Sequence, residues 1–82
     1  LKKNQRKIMT PEETRKVETY LKNKFRNESI NLKKRANNDD SVEVLMGAEF
    51  IGLLYKTEDE GETSFDFNMS ILDIDLEGGS IA

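Results

Sequence analysis

The sequence predicts an α+β domain, with one N-terminal helix packed on a four-stranded antiparallel meander sheet in the order α-β-β-β-β. Three observations carry that prediction. A helix-start signal at Thr10-Pro11-Glu12-Glu13 precedes apolar residues at helical spacing. From Ile30 onward the apolar period changes to two, the period of a half-buried strand. The links between the period-two runs are too short for a crossover, so neighbouring strands must run antiparallel.

The helix is the best-specified element. Thr10 can accept from the N–H three residues on, and Pro11 stands where its missing donor costs nothing. Glu13 completes a capping box and suits the positive end of the helix. Val17, Tyr20, Leu21 and Phe25 then fall at i, i+3, i+4 and i+8, one stripe with Lys16, Lys22, Lys24 and Arg26 largely around it.

Four strands follow. Ile30 and Leu32 alternate with Asn31 and Lys33, "NNDD" supplies a turn, and Val42, Val44 and Met46 alternate with Glu43 and Leu45. Gly47 allows a tight reversal into "FIGLLYK", and an acidic loop, "TEDEG", leads to a long fourth strand from about Glu62. In that strand the inward set is Phe65, Phe67, Met69 and Ile71, then Leu72, Ile74 and Leu76. The phase slips by one residue, which a bulge or bend near Ile71 and Leu72 would produce. On this reading Asp73, Asp75 and Glu77 lie on the solvated face of a strand. Their spacing imitates the start of a calcium loop, but such a loop follows a helix and takes a bidentate Glu twelve positions from its start, and here a strand is expected before it and no Glu stands at that position.

Eighty-two residues allow one domain, which buries roughly 60–65% of the surface its unfolded chain exposes. We divide it into a flexible basic arm (1–9), whose Met9 is a candidate translation start, a single domain (10–77) and a short disordered tail (78–82). With no Cys and no His, thiolate zinc sites, redox chemistry and histidine general-base catalysis are not expected. No apolar run approaches the roughly 20 residues that cross a bilayer, and "LKKNQRKI" is not followed by an apolar stretch as in a signal peptide, so a soluble cytoplasmic protein is expected. The net charge of −3 hides an asymmetry. Residues 1–35 hold 12 Lys and Arg against four acids, and residues 36–82 hold Lys56 against 12 acids. A basic helix lying near an acidic sheet accounts for this, as does a basic surface for an anionic partner.

Together "KVETYLKNKF", "DDSVEV", "AEFIGLLY" and "DEGETSFDFNMSILDIDLE" resemble the uncharacterised alphaproteobacterial family catalogued as domain of unknown function 3126. "EFIG" followed by a Tyr, and "ILDIDLE", are the most specific segments. The resemblance spans about residues 12–77 and implies a small cytoplasmic bacterial protein. It brings no known activity with it, and residues 1–8 lie outside its pattern.

No nucleophile with an adjacent base and no phosphate-binding glycine loop stands out, so neither catalysis nor a cofactor is expected. The acid clusters Asp39-Asp40 and Glu58-Asp59-Glu60 read as exposed turns. The leading expectation is a noncatalytic protein–protein interaction module of unidentified partner, with a homodimer through the sheet as one form. In "FIGLLYK", Ile51, Leu53 and Tyr55 share one face while Phe50 and Leu54 share the other, and one helix can cover one face only. If the first set joins Val17, Leu21 and Phe25 in the core, Phe50, Leu54 and Leu45 remain as the contact surface; the assignment can also be reversed. The alternative is weak, sequence-nonspecific nucleic-acid binding through the basic arm and through Arg15, Lys16, Lys22, Lys24, Arg26, Lys33, Lys34 and Arg35. The basic-Gly-aromatic signature of ferredoxin-like RNA readers is absent, so that partner is the less expected one. No membrane partner is expected.

Overall fold

The structure is a computed structural model and describes residues 5–35 and 40–77. Its elements are β1 (Gln5–Lys7), α1 (Pro11–Phe25), β2 (Ile30–Lys34), β3 (Ser41–Met46), β4 (Glu49–Asp59), β5 (Glu62–Asn68) and a short 3-10 helix (Asp73–Glu77). One helix therefore precedes an antiparallel meander, as the sequence predicts, with β1 as an added fifth strand.

The helix begins at the predicted cap. Thr10 is extended, its hydroxyl accepts the Glu13 N–H at 3.1 Å, and the Glu13 carboxylate accepts the Thr10 N–H at 3.0 Å. Arg26 closes the other end in the left-handed region (φ 52°), where the Asn27 N–H donates to the Lys22 carbonyl at 3.0 Å.

The meander runs β2-β3-β4-β5. β2 and β3 pair Leu32 with Val44, β3 and β4 pair Val42 with Leu54, and β4 and β5 pair Leu54 with Phe67. The β3–β4 reversal needs only Gly47 and Ala48 between the paired Met46 and Glu49. Gly47 at φ +64° supplies the positive dihedral that such two-residue turns demand. "TEDEG" is not a loop: β4 continues to Asp59, and the turn consists of Glu60 and Gly61, both at positive φ.

This register sets the faces. Ile30, Leu32, Val42, Val44, Leu54, Phe65 and Phe67 lie toward α1 and, with Met9 and Leu21, form the core, against which Val17 packs. Leu54 is only 1% exposed, so it belongs to the core rather than to an exposed contact surface. The face that opposes it carries Leu45, Leu53 and Tyr55, each half-buried. Neither assignment of the β4 faces holds whole: Leu54 lies in the core with Leu53 and Tyr55 opposite, but across the bulge Phe50 is exposed beside Leu45 and Ile51 packs against the core.

Three further expectations meet a different arrangement. Within the segment expected to be a basic arm, Gln5–Lys7 form a strand. β3 begins at Ser41, opposite Tyr55, so β1 pairs with Lys56, Thr57 and Glu58 on the same edge of β4 beyond it, and β5 occupies the other edge. Arg6 lies over the Tyr55 ring at 4.0 Å, and Met9 is buried. Residues 1–4 and the tail at 78–82 fall outside the described residues. The helical stripe is only half engaged, since Leu21 is buried and Val17 half-buried while Tyr20 and Phe25 are exposed.

The fourth meander strand also ends early, at Asn68, and Asp73–Glu77 is a 3-10 helix rather than a strand. A local alternative wins there. The Asp75 carboxylate accepts the Leu72 N–H at 3.0 Å and the Asp75 N–H donates to the Leu72 carbonyl at 2.9 Å, closing a turn that competes with a ladder.

Candidate interaction surface

An antiparallel sheet of four strands is about 19 Å wide at roughly 4.8 Å per strand, whereas a helix with its side chains is about 10 Å across. One helix therefore covers about half of the core face. Here α1 is drawn toward β2, where the Glu18 carboxylate accepts the backbone N–H of Leu32 at 3.1 Å and also pairs with Lys22 at 3.4 Å. That contact occupies a donor on the outer edge of β2, a form of edge protection. At its start, α1 is tied to β4 by Glu13 and Lys56, 2.7 Å apart. The Lys56 ammonium, with its hydrogen bond to Glu13, and then the Thr10 N–H hold the Glu13 carboxyl below its ordinary value.

The other half of the face stays open. Val17, Tyr20 and Leu21 on one side and Leu54, Phe65 and Phe67 on the other line a groove of about 290 Å³ with Lys16 at its rim. Tyr20 is 59% exposed above it. Among the described residues β5 pairs only with β4, so its outer edge borders this groove without a strand partner.

A second apolar region lies at the far end of β4. Phe50 is 53% exposed, and Met69, Ile71, Leu72, Ile74 and Leu76 are between 54% and 72% exposed. A depression of about 370 Å³ joins Phe50, Met69 and Leu72, with Ile51 and Leu53 also in its lining. Single exposed apolar residues are ordinary, but a run of this density is not. Gly52 shapes the junction. A side chain there would collide with the Asn68 carbonyl oxygen and come within 2.6 Å of the Phe67 ring, so only glycine lets the end of β5 cross β4 so closely.

Of the sequence-predicted contact residues, Phe50 lies in this second region, Leu45 pairs with Phe50 across the β3–β4 bulge, and Leu54 lies beneath the groove. Groove formation by Tyr20, Phe65 and Phe67 was not legible from the sequence, because periodicity gives a residue's face but not how far the helix extends over it. The basic residues occupy two adjoining elements. Arg15, Lys16, Lys24 and Arg26 on or at the end of α1, and Lys33, Lys34 and Arg35 along and after β2, are exposed, while Lys22 is half-buried. Lys16 and Lys22 have carboxylates of their own turn as neighbours, Glu12 at 3.7 Å and Glu18 at 3.4 Å. Among the described residues no group of three or more acidic side chains is arranged to hold a metal ion. No helix there is long and apolar enough to cross a membrane.

Fold and surface define a class: a helix-on-sheet α+β domain whose single helix leaves part of its apolar face unfinished. The model of the family described as "Protein of unknown function (DUF3126)" matches residues 13–75, and the chain belongs to that family. Comparison with curated proteins and with solved structures found no match to either.

Proposed function

We propose that this chain is a noncatalytic protein–protein interaction module, acting in the cytoplasm of an alphaproteobacterium, that binds through the apolar surface its own helix leaves uncovered. The observation that carries this reading is the size of the unfinished face: an open groove over β4 and β5 together with the exposed run from Met69 to Leu76. Burying five aliphatic side chains and the groove against water is a sufficient driving force for association, whereas the site offers no activated nucleophile. The compartment and the bacterial group rest on the sequence resemblance.

A photo-crosslinking residue at position 50 or 72 in living cells tests the reading. A discrete adduct, lost when Leu72 or Ile74 is replaced by glutamate, is expected. The absence of any specific adduct, together with a mass of one chain in solution, would overturn it.

Weak nucleic-acid binding is a second reading, favoured by the adjoining cations of α1 and of the Lys33-Lys34-Arg35 segment. It is weakened by the helix lysines that already have carboxylate neighbours and by 16 acids on a chain of this size.

A further inference from the structure

The segment 69–77, MSILDIDLE, is in conflict with its own conformation. Its sequence alternates, with Leu72, Ile74 and Leu76 on one phase and Asp73, Asp75 and Glu77 on the other, which is the pattern of an extended segment with one apolar side. Yet it is folded as a 3-10 turn in which neither set is buried. Natural sequences avoid disagreement between local pattern and fold unless another contact resolves it.

We propose that in a second copy of this chain the α1–β4–β5 groove receives this segment in extended form, and that the exchange is reciprocal. The inference rests on the interaction-module reading and names its partner. Three features of the molecule fit it. The groove is apolar with an exposed aromatic wall, Tyr20, and β5 leaves a strand edge beside it, so an added strand gains both main-chain hydrogen bonds and pockets for alternate side chains.

The charges are complementary. Segment 69–77 has three carboxylates and no base, whereas α1 with its C-terminal Arg26 carries five cations against three acids, with Lys16 at the groove rim. A second basic helix placed over the groove would instead meet like charge.

The segment of the same chain does not fill the groove. Leu72 and Asp75 lie beside Glu49, Phe50 and Leu53 instead, in a depression distinct from the groove.

The test is complementation in the full chain. Ile74→Glu alters a side chain that is 69% exposed, and Tyr20→Glu one at the open wall of the groove, so both variants should keep the fold, checked by circular dichroism. Light scattering at about 100 μM should give wild type a mass near two chains. Each variant alone should fall to one chain. An equimolar mixture, in which one intact segment meets one intact groove, should recover a mass near two chains, more weakly than wild type and less at high salt.

A wild type of one chain would overturn the exchange, as would a mixture that stays monomeric. A dimer that survives both substitutions but is lost on Phe50→Glu would also overturn it while supporting the broader reading. So would a monomeric wild type whose position-50 crosslinker captures a different protein in a manner abolished by Leu72→Glu. Only the loss of both dimer and specific adduct sinks the two together.

Discussion

Replacing Glu13 should unfasten the helix from the sheet, and the size of the loss can be worked from its contacts. One carboxylate oxygen accepts the Thr10 N–H at 3.0 Å, and the other lies 2.7 Å from the Lys56 ammonium. Lys56 has a side chain only 12% exposed, on the core face of β4, and Glu13 one that is 27% exposed. Glu13→Ala removes half of the capping box, worth about 0.5–1 kcal/mol, and leaves a largely buried ammonium without its partner. Fully buried pairs lose about 3–5 kcal/mol when one member is removed, but here partial exposure screens the charge, so about 1–2 kcal/mol is expected.

The sum, about 1.5–3 kcal/mol, would lower Tm by on the order of 6–24 °C in a domain of this size. Glu13→Gln, which keeps a cap acceptor, should lose only the ionic part. In a Lys56→Met background that part should largely vanish, giving a coupling energy of about 1 kcal/mol or more in a double-mutant cycle from urea unfolding. Its pH dependence has a fixed sign. Because the folded carboxyl titrates below its ordinary value of 4.5, its contribution is complete above that value and is lost as pH falls through the lowered folded value. The gap between wild type and Glu13→Gln should therefore narrow below about pH 4.5. A coupling energy under about 0.3 kcal/mol would refute the reasoning, since it would mean that water solvates Lys56 as well as Glu13 does.

Thr10→Ala should cost about 1 kcal/mol in thermal unfolding, because the Glu13 N–H loses its acceptor. Gly52→Ala should cost about 1–3 kcal/mol in urea titrations, since the new methyl group meets the Phe67 ring and the backbone of Asn68. Gly47→Ala, with nothing within 4 Å but φ at +64°, should lose only about 1–2 kcal/mol from backbone strain. Titration with single-stranded oligonucleotides should show weak binding that falls steeply between low and physiological salt without base preference. Submicromolar, sequence-selective binding would reverse the order of the two functional readings.

The helix start was legible because its determinants are local. Thr10, Pro11 and Glu13 act within four residues, and their capping box forms as the spacing requires. The meander was legible for the same reason, since its connections at Gly47-Ala48 and Glu60-Gly61 are two-residue turns that fix antiparallel pairing whatever the rest of the chain does. β1 was invisible because Gln5, Arg6 and Lys7 have no apolar alternation, and only the edge of β4 beyond Tyr55, where β3 no longer pairs, draws them into the sheet. The chain beyond Asn68 misled for the opposite reason: its alternation is that of a strand, but the Asp75 carboxylate offers the backbone a bond within the same turn. The sequence by itself determined which residues are apolar and on which phase, and hence that one helix could not cover them all. Which of them remain open was decided by the tertiary structure, because the Glu18 contact with β2 and the Glu13 contact with β4 set where a 10 Å helix lies on a 19 Å sheet.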